Sequence, residues 1–88
     1  MEIPPHVLRI ANDRDFKVTI RIGRSGLTES FFSELEAQLK SRKVVKIKMN
    51  KGLTESQSER KEMFSHIGER VNATLVKSRG NVAIYWKT

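Results

Sequence analysis

Lys17-Val18-Thr19-Ile20-Arg21-Ile22-Gly23-Arg24-Ser25-Gly26-Leu27-Thr28-Glu29 passes from one periodicity to another. Its first half alternates polar and apolar side chains, the pattern of a half-buried strand. Its last residues open a helix, with Thr28 placed to cap it. Between them Gly23–Gly26 makes a strand-to-helix turn. Two glycines let a main chain approach a ligand closely, and the free N–H groups and positive dipole end of the following helix favour an anion, above all a phosphate. Arg24 adds a mobile cation. The same four residues also suit a tight turn that needs glycine only for its dihedral angles, and the tetrapeptide alone does not separate the two readings.

Outward from this turn, Gly26-Leu27-Thr28-Glu29-Ser30 is echoed by Gly52-Leu53-Thr54-Glu55-Ser56, each copy lying between a β-patterned segment and a helical one. The copies read as two βα units. Thr28 and Thr54 are the candidate caps, and Leu27 stands at the right spacing to staple onto Phe32. The second copy has Ser58 where the first has Phe32, so its helix is expected to start later, at Ser56 or Ser58. The first helix is predicted over Glu29–Ser41, burying Phe31, Phe32, Leu35 and Leu39. The second ends at Val71, with Met63, Phe64, Ile67 and Val71 inward and Asn72 in the left-handed position that stops it. Thr74–Lys77, a turn at Ser78-Arg79-Gly80-Asn81 and Val82–Trp86 read as a closing hairpin. Pro5–Arg14 reads as a short helix before the first strand.

The fold class is therefore α/β in two layers, with elements ordered βαβαββ, a four-stranded mixed sheet and two helices on one face. Alternation assigns Val18, Ile20, Ile22, Val45, Ile47, Met49, Val82, Ile84 and Trp86 to the helix-covered side. It leaves Lys17, Thr19, Arg21, Lys46, Lys48 and Tyr85 on an open polar face, with Lys77 or Lys87 beside them. Such a face serves solubility or an RNA contact. Right-handed crossovers bring the carboxyl ends of the first three strands to one edge, where ligands bind in open α/β sheets. That edge is expected to gather Gly23–Gly26, Asn50-Lys51-Gly52 and Lys77-Ser78-Arg79-Gly80.

Composition narrows the partners. The 88 residues carry a net charge of +7. Residues 1–40 are neutral, with six Lys/Arg against six Asp/Glu, whereas residues 41–88 hold eleven against four. A basic half of this kind fits polyanion binding through counterion release, nucleic acid ahead of an acidic protein. A chain this short supports one domain, over residues 1–88. Zero cysteines exclude disulfides and thiolate nucleophiles, and His6 and His66 lack metal-ligand spacing. No cofactor or metal is expected. No apolar run reaches the length of a membrane span and Met1–Pro5 does not read as a signal peptide, so a cytoplasmic location without membrane contact is the expectation.

Ile22-Gly23-Arg24-Ser25-Gly26-Leu27-Thr28-Glu29 with its helix, Lys43–Lys48, the second helix, Asn72-Ala73 and Ala83-Ile84-Tyr85 together resemble the CRM domain. This is the RNA-binding module of chloroplast intron-splicing factors and of single-domain prokaryotic proteins linked to ribosome assembly. The resemblance spans residues 7–87. It implies a fold like the C-terminal domain of bacterial translation initiation factor three, and a glycine loop that works on the RNA backbone as in KH domains. Three positions depart from the family pattern. Tyr85 is followed by Trp86 rather than arginine, so no phosphate contact carries over there; Asn72 replaces a glycine; and the hairpin glycine is shifted to Gly80, which leaves the register of Arg79 open.

These readings converge on a non-catalytic protein that binds structured RNA, ribosomal or pre-ribosomal, in ribosome assembly. The expected RNA-binding residues are Gly23, Arg24, Ser25, Gly26, Lys51, Lys77 and Arg79, with Lys46 and Lys48 contributing from the sheet. One alternative is a DNA-coating chromatin protein of the Alba type, which shares the charge and the general plan but uses a longer hairpin arm. The other is a small nuclease or phosphotransferase. Gly23–Gly26 lacks the lysine and spacing of a P-loop, and Asp13 and Asp15 are the only aspartates, with no histidine beside them.

Overall fold

The computed structural model describes residues 3–87. Seven elements follow in order: α1 (Pro5–Ala11), β1 (Ile20–Ile22), α2 (Glu29–Arg42), β2 (Val44–Met49), α3 (Gln57–Arg70), β3 (Thr74–Arg79) and β4 (Val82–Trp86). The strands form one mixed sheet in the order β1-β2-β4-β3. β1 pairs parallel to β2, and β4 runs antiparallel to both β2 and β3. The carboxyl ends of β1, β2 and β3 therefore lie at one edge, as the crossover argument requires.

α2 and α3 each start where the sequence supplies a side-chain acceptor. Thr28 is extended at φ −99°, and its hydroxyl accepts from the Phe31 N–H at 3.0 Å. In the second unit the cap is Ser56, accepting from the Glu59 N–H at 3.0 Å, so α3 begins two residues later in its copy than α2 does. Thr54, the expected cap by analogy, instead turns toward Met49. At the far end of α3, Asn72 takes the left-handed conformation at φ 56°. α2 ends on Lys43, also left-handed at φ 70°, its N–H bonded to the Leu39 carbonyl at 2.9 Å.

The main core lies between α2, α3 and the sheet. Phe31, Phe32, Leu35 and Leu39 meet Phe64, Ile67 and Val71 over Ile20, Ile22, Val45, Ile47 and Met49. Leu27 and Met63 pack on its margin. The helical and strand periodicities select these residues. Val18, which alternation also assigns to this side, lies outside the core and only half-buried, because β1 begins at Ile20.

Strand β4 departs from expectation. Ala83 and Tyr85, not Val82, Ile84 and Trp86, face the main core. Tyr85 is fully buried and its hydroxyl donates to the Phe64 carbonyl at 2.6 Å, so it does not belong to an open face. Val82-Ala83-Ile84-Tyr85-Trp86 is apolar on both sides, and alternation alone does not decide which side meets the helices. The reason for two apolar sides is α1. This helix packs on the opposite face of the sheet, where Val7 and Ala11 bury Val44, Ile84 and Trp86 in a second cluster with Ile3, Phe16 and Val76 at its edges. The face expected to be open is thus covered at the α1 end.

The hairpin is also tighter than the sequence implies. β3 extends to Arg79, paired with Val82, and only Gly80 and Asn81 turn the chain, with Gly80 at φ 57°. An irregularity between Leu75 and Lys77 resets the register, so that Leu75 meets Tyr85 on the core side while Lys77 meets Ile84 on the α1 side.

Candidate nucleic-acid interface

Cross-strand partners share a face, which makes the register a map of charge. Arg21 pairs with Lys48, Lys48 with Val82, and Val82 with Arg79. These residues form one row across the sheet, all on the α1 side and beyond the end of α1. In the next row Lys46 and Lys77 flank Ile84. The uncovered half of this face is therefore basic, and it runs into the glycine turn at the end of β1.

At that turn the Gly26 N–H bonds back to the Gly23 carbonyl at 3.0 Å, which leaves Arg24 and Ser25 at an exposed tip. Gly26 has φ +74°, a conformation that a side chain would strain. Gly23 differs. Its φ is not positive, and a Cβ built on it meets nothing within 4 Å. The fold demands a glycine at Gly26 but none at Gly23.

Beside the turn lies an open cleft of about 520 Å³ formed by the ends of the parallel pair: Arg21, Gly23 and Arg24 on one side, Lys48, Asn50 and Lys51 on the other. Four of its eight lining residues are cations, Ile22 and Met49 are apolar, and it contains no carboxylate. The nearest acidic residue in sequence is Glu29, on the first turn of α2. Arg70 holds it through two contacts from one guanidinium nitrogen, at 3.0 and 3.2 Å, while the guanidinium lies over the Phe32 ring at 4.6 Å. This pair partly neutralises the charge that would oppose an incoming anion.

The predicted residues divide into two groups. Gly23, Arg24, Lys48 and Lys51 surround this cleft, with Ser25 and Gly26 completing the turn. Lys46, Lys77 and Arg79 line a second cleft near α1. Lys77 lies within β3, not at the strand-end edge where it was expected, and its ammonium donates to Asn12 Oδ1 at 2.8 Å. Lys46 is half-buried and committed to the Phe16 carbonyl at 3.0 Å, 5.9 Å above the Phe16 ring. Arg21, which alternation puts on the polar face, joins the candidate surface through its pairing with Lys48, a cross-strand neighbour that its own sequence segment does not disclose. Asn12 and Asp13 join the surface only because α1 folds back onto the sheet. Among the described residues, no group of three or more His, Cys, Asp or Glu is arranged to hold a metal ion, and no helix is long and apolar enough to cross a membrane.

Fold and surface together define a class: a small mixed-sheet α+β domain whose glycine-bearing βα turn and basic strand ends form one exposed surface. Within that class, the chain belongs to the CRS1/YhbY (CRM) domain family, whose sequence profile matches residues 9–87. The fold is similar to the solution structure of the hypothetical protein SAV1595 from Staphylococcus aureus, described as a putative RNA binding protein. The TM-score is 0.75 at 18% identity, over 94% of this chain and 81% of that one. No curated protein sequence gives a significant match.

Proposed function

We propose that this protein is a non-catalytic RNA-binding domain that grips the phosphate backbone of structured RNA, ribosomal or pre-ribosomal, at the Gly23–Gly26 turn and the adjoining cations, and that it acts in ribosome assembly. Family membership and the description of SAV1595 support the choice of RNA. The observation that carries the choice of site is Gly23. A glycine that neither dihedral angle nor packing requires keeps the surface bare next to Arg21, Arg24, Lys48 and Lys51. Close backbone approach by a polyanion gives that bareness a use. Arg24 and the α2 N-terminus hold phosphate; Lys48 and Lys51 extend the contact.

The test exploits opposite signs. Replacing Arg24 and Ser25 with aspartate retains both glycines and puts negative charge just before a helix N-terminus, where the dipole tolerates or favours it by up to about 1 kcal/mol per charge. The melting temperature is expected to hold. RNA affinity is expected to fall at least the roughly tenfold that 1.4 kcal/mol represents. Parent-like binding by a well-folded double variant would remove the turn from the site.

A further inference from the structure

The second cleft contains something that a phosphate site would not. It has a volume of about 280 Å³ and lies between the end of α1 and the β3–β4 hairpin. Its lining is mixed: Ala11, Val82 and Ile84 are apolar, and Lys46, Lys77 and Arg79 bring cations. Asp13 lines it too. Asp13 Oδ1 accepts from the Asp15 N–H at 2.9 Å, which fixes the carboxylate at the turn after α1. Among the described residues the one ion pair is Arg70 with Glu29, so Asp13 is not consumed by the cations around it. Next to it, Lys77 donates to Asn12 Oδ1, which leaves the donor capacity of the Asn12 amide in its nitrogen.

The first cleft contains no carboxylate, and a carboxylate repels a phosphate. A nucleobase fits a lining that mixes apolar side chains with a carboxylate and an amide. Its flat face covers apolar side chains, its polar edge carries N–H donors and acceptors, and the guanidinium of an arginine stacks on it. We infer that this cleft receives one unstacked nucleobase of the bound RNA, with Asp13 and Asn12 reading its polar edge and Lys77 and Arg79 holding the attached backbone. The inference rests on the RNA reading above and extends it. The row Arg21, Lys48, Val82, Arg79 leads from the glycine turn to the cleft, so one strand reaches both.

The test compares a mixed-sequence single-stranded RNA oligonucleotide with an abasic ribose-phosphate oligomer of equal phosphate count, at matched salt, for the parent and Asp13→Ala. A base reader and a plain cationic surface predict opposite signs. If Asp13 accepts from a base, Asp13→Ala weakens RNA binding threefold or more, while it strengthens abasic binding by removing a repulsive charge. Strengthening of both overturns the proposal, as does equal binding of the two oligomers by the parent. Failure of the parent to bind either oligomer removes the RNA reading itself, a different outcome. A second measurement is independent of any variant. Photo-crosslinks from 4-thiouridine in the RNA are expected on Ala11–Asp13 and Val82–Ile84, and crosslinks confined to Gly23–Gly26 and Lys51 count against the cleft.

Discussion

Gly23 and Gly26 sit three residues apart and do different work. Gly26 at φ +74° relieves a strain of about 1–2 kcal/mol, so Gly26→Ala is expected to lower stability by that amount. Gly23 bears no such constraint, and Gly23→Ala is expected to leave the melting temperature unchanged or raise it slightly through a less flexible unfolded chain. Its effect falls on RNA affinity, which a titration beside the thermal melt measures. Loss of stability without loss of affinity would mark Gly23 as a turn residue only. Tyr85 gives a residue-scale prediction of another kind. Burial pushes its phenol above the usual 10.0, so the folded state favours the protonated form. That contribution is complete below the unfolded value of about 10 and is lost as the pH rises above it. Tyr85 is the one tyrosine, so tyrosinate absorbance is expected to appear together with alkaline unfolding rather than before it. Tyr85→Phe sacrifices the bond to Phe64, at about 1 kcal/mol, and flattens the alkaline decline.

At the scale of elements, the chain uses one βα design twice and finishes it differently. Both helices open on a hydroxyl cap, but α2 closes on Lys43 at φ 70°, ψ −35°, an unfavourable place for a residue with a Cβ. Lys43 is exposed, and its N–H bond to Leu39 is a backbone contact that any residue but proline keeps. Lys43→Gly is therefore expected to stabilise the fold by roughly 1 kcal/mol, or about 4–8 °C in a domain of this size, read by calorimetry. A fall in melting temperature would show that the lysine side chain contributes more than its backbone strain costs. α1 has the largest consequence for function. It buries one end of a sheet face that is otherwise basic, and so confines the accessible cations to the strand-end half of the sheet.

For the whole molecule, the strand-end clefts and the sheet row form one basic tract facing a single direction. Binding by such a tract releases counterions, so the logarithm of affinity is expected to fall linearly with the logarithm of salt, by about 0.7 to 0.9 per phosphate neutralised. A flat dependence would put a protein partner ahead of RNA. Competition adds the nucleic-acid type. A bare glycine turn beside a cleft suits the irregular backbone and unstacked bases of folded RNA, whereas a two-residue hairpin turn provides no arm for the grooves of duplex DNA. A folded ribosomal RNA fragment is expected to outcompete duplex DNA of equal phosphate count, and stronger DNA binding would restore the chromatin-protein alternative.

The local signals in this chain were enough to establish its elements and their order. Thr28 caps α2, Phe31, Phe32, Leu35 and Leu39 lie on one stripe, Asn72 stops α3, and the parallel strands end at one edge, because each depends on side-chain spacing or on the chain's own handedness. The family resemblance was legible for the same reason, since its motifs lie at those local positions. The orientation of β4, the burial of Tyr85, the position of Lys77 and the entry of Arg21, Asn12 and Asp13 into the surface were decided by tertiary structure. A strand that is apolar on both sides has no preferred face until a second layer exists to cover one of them. Val7 and Ala11 supply that layer from the start of the chain, and only the folded protein sets them against Ile84 and Trp86.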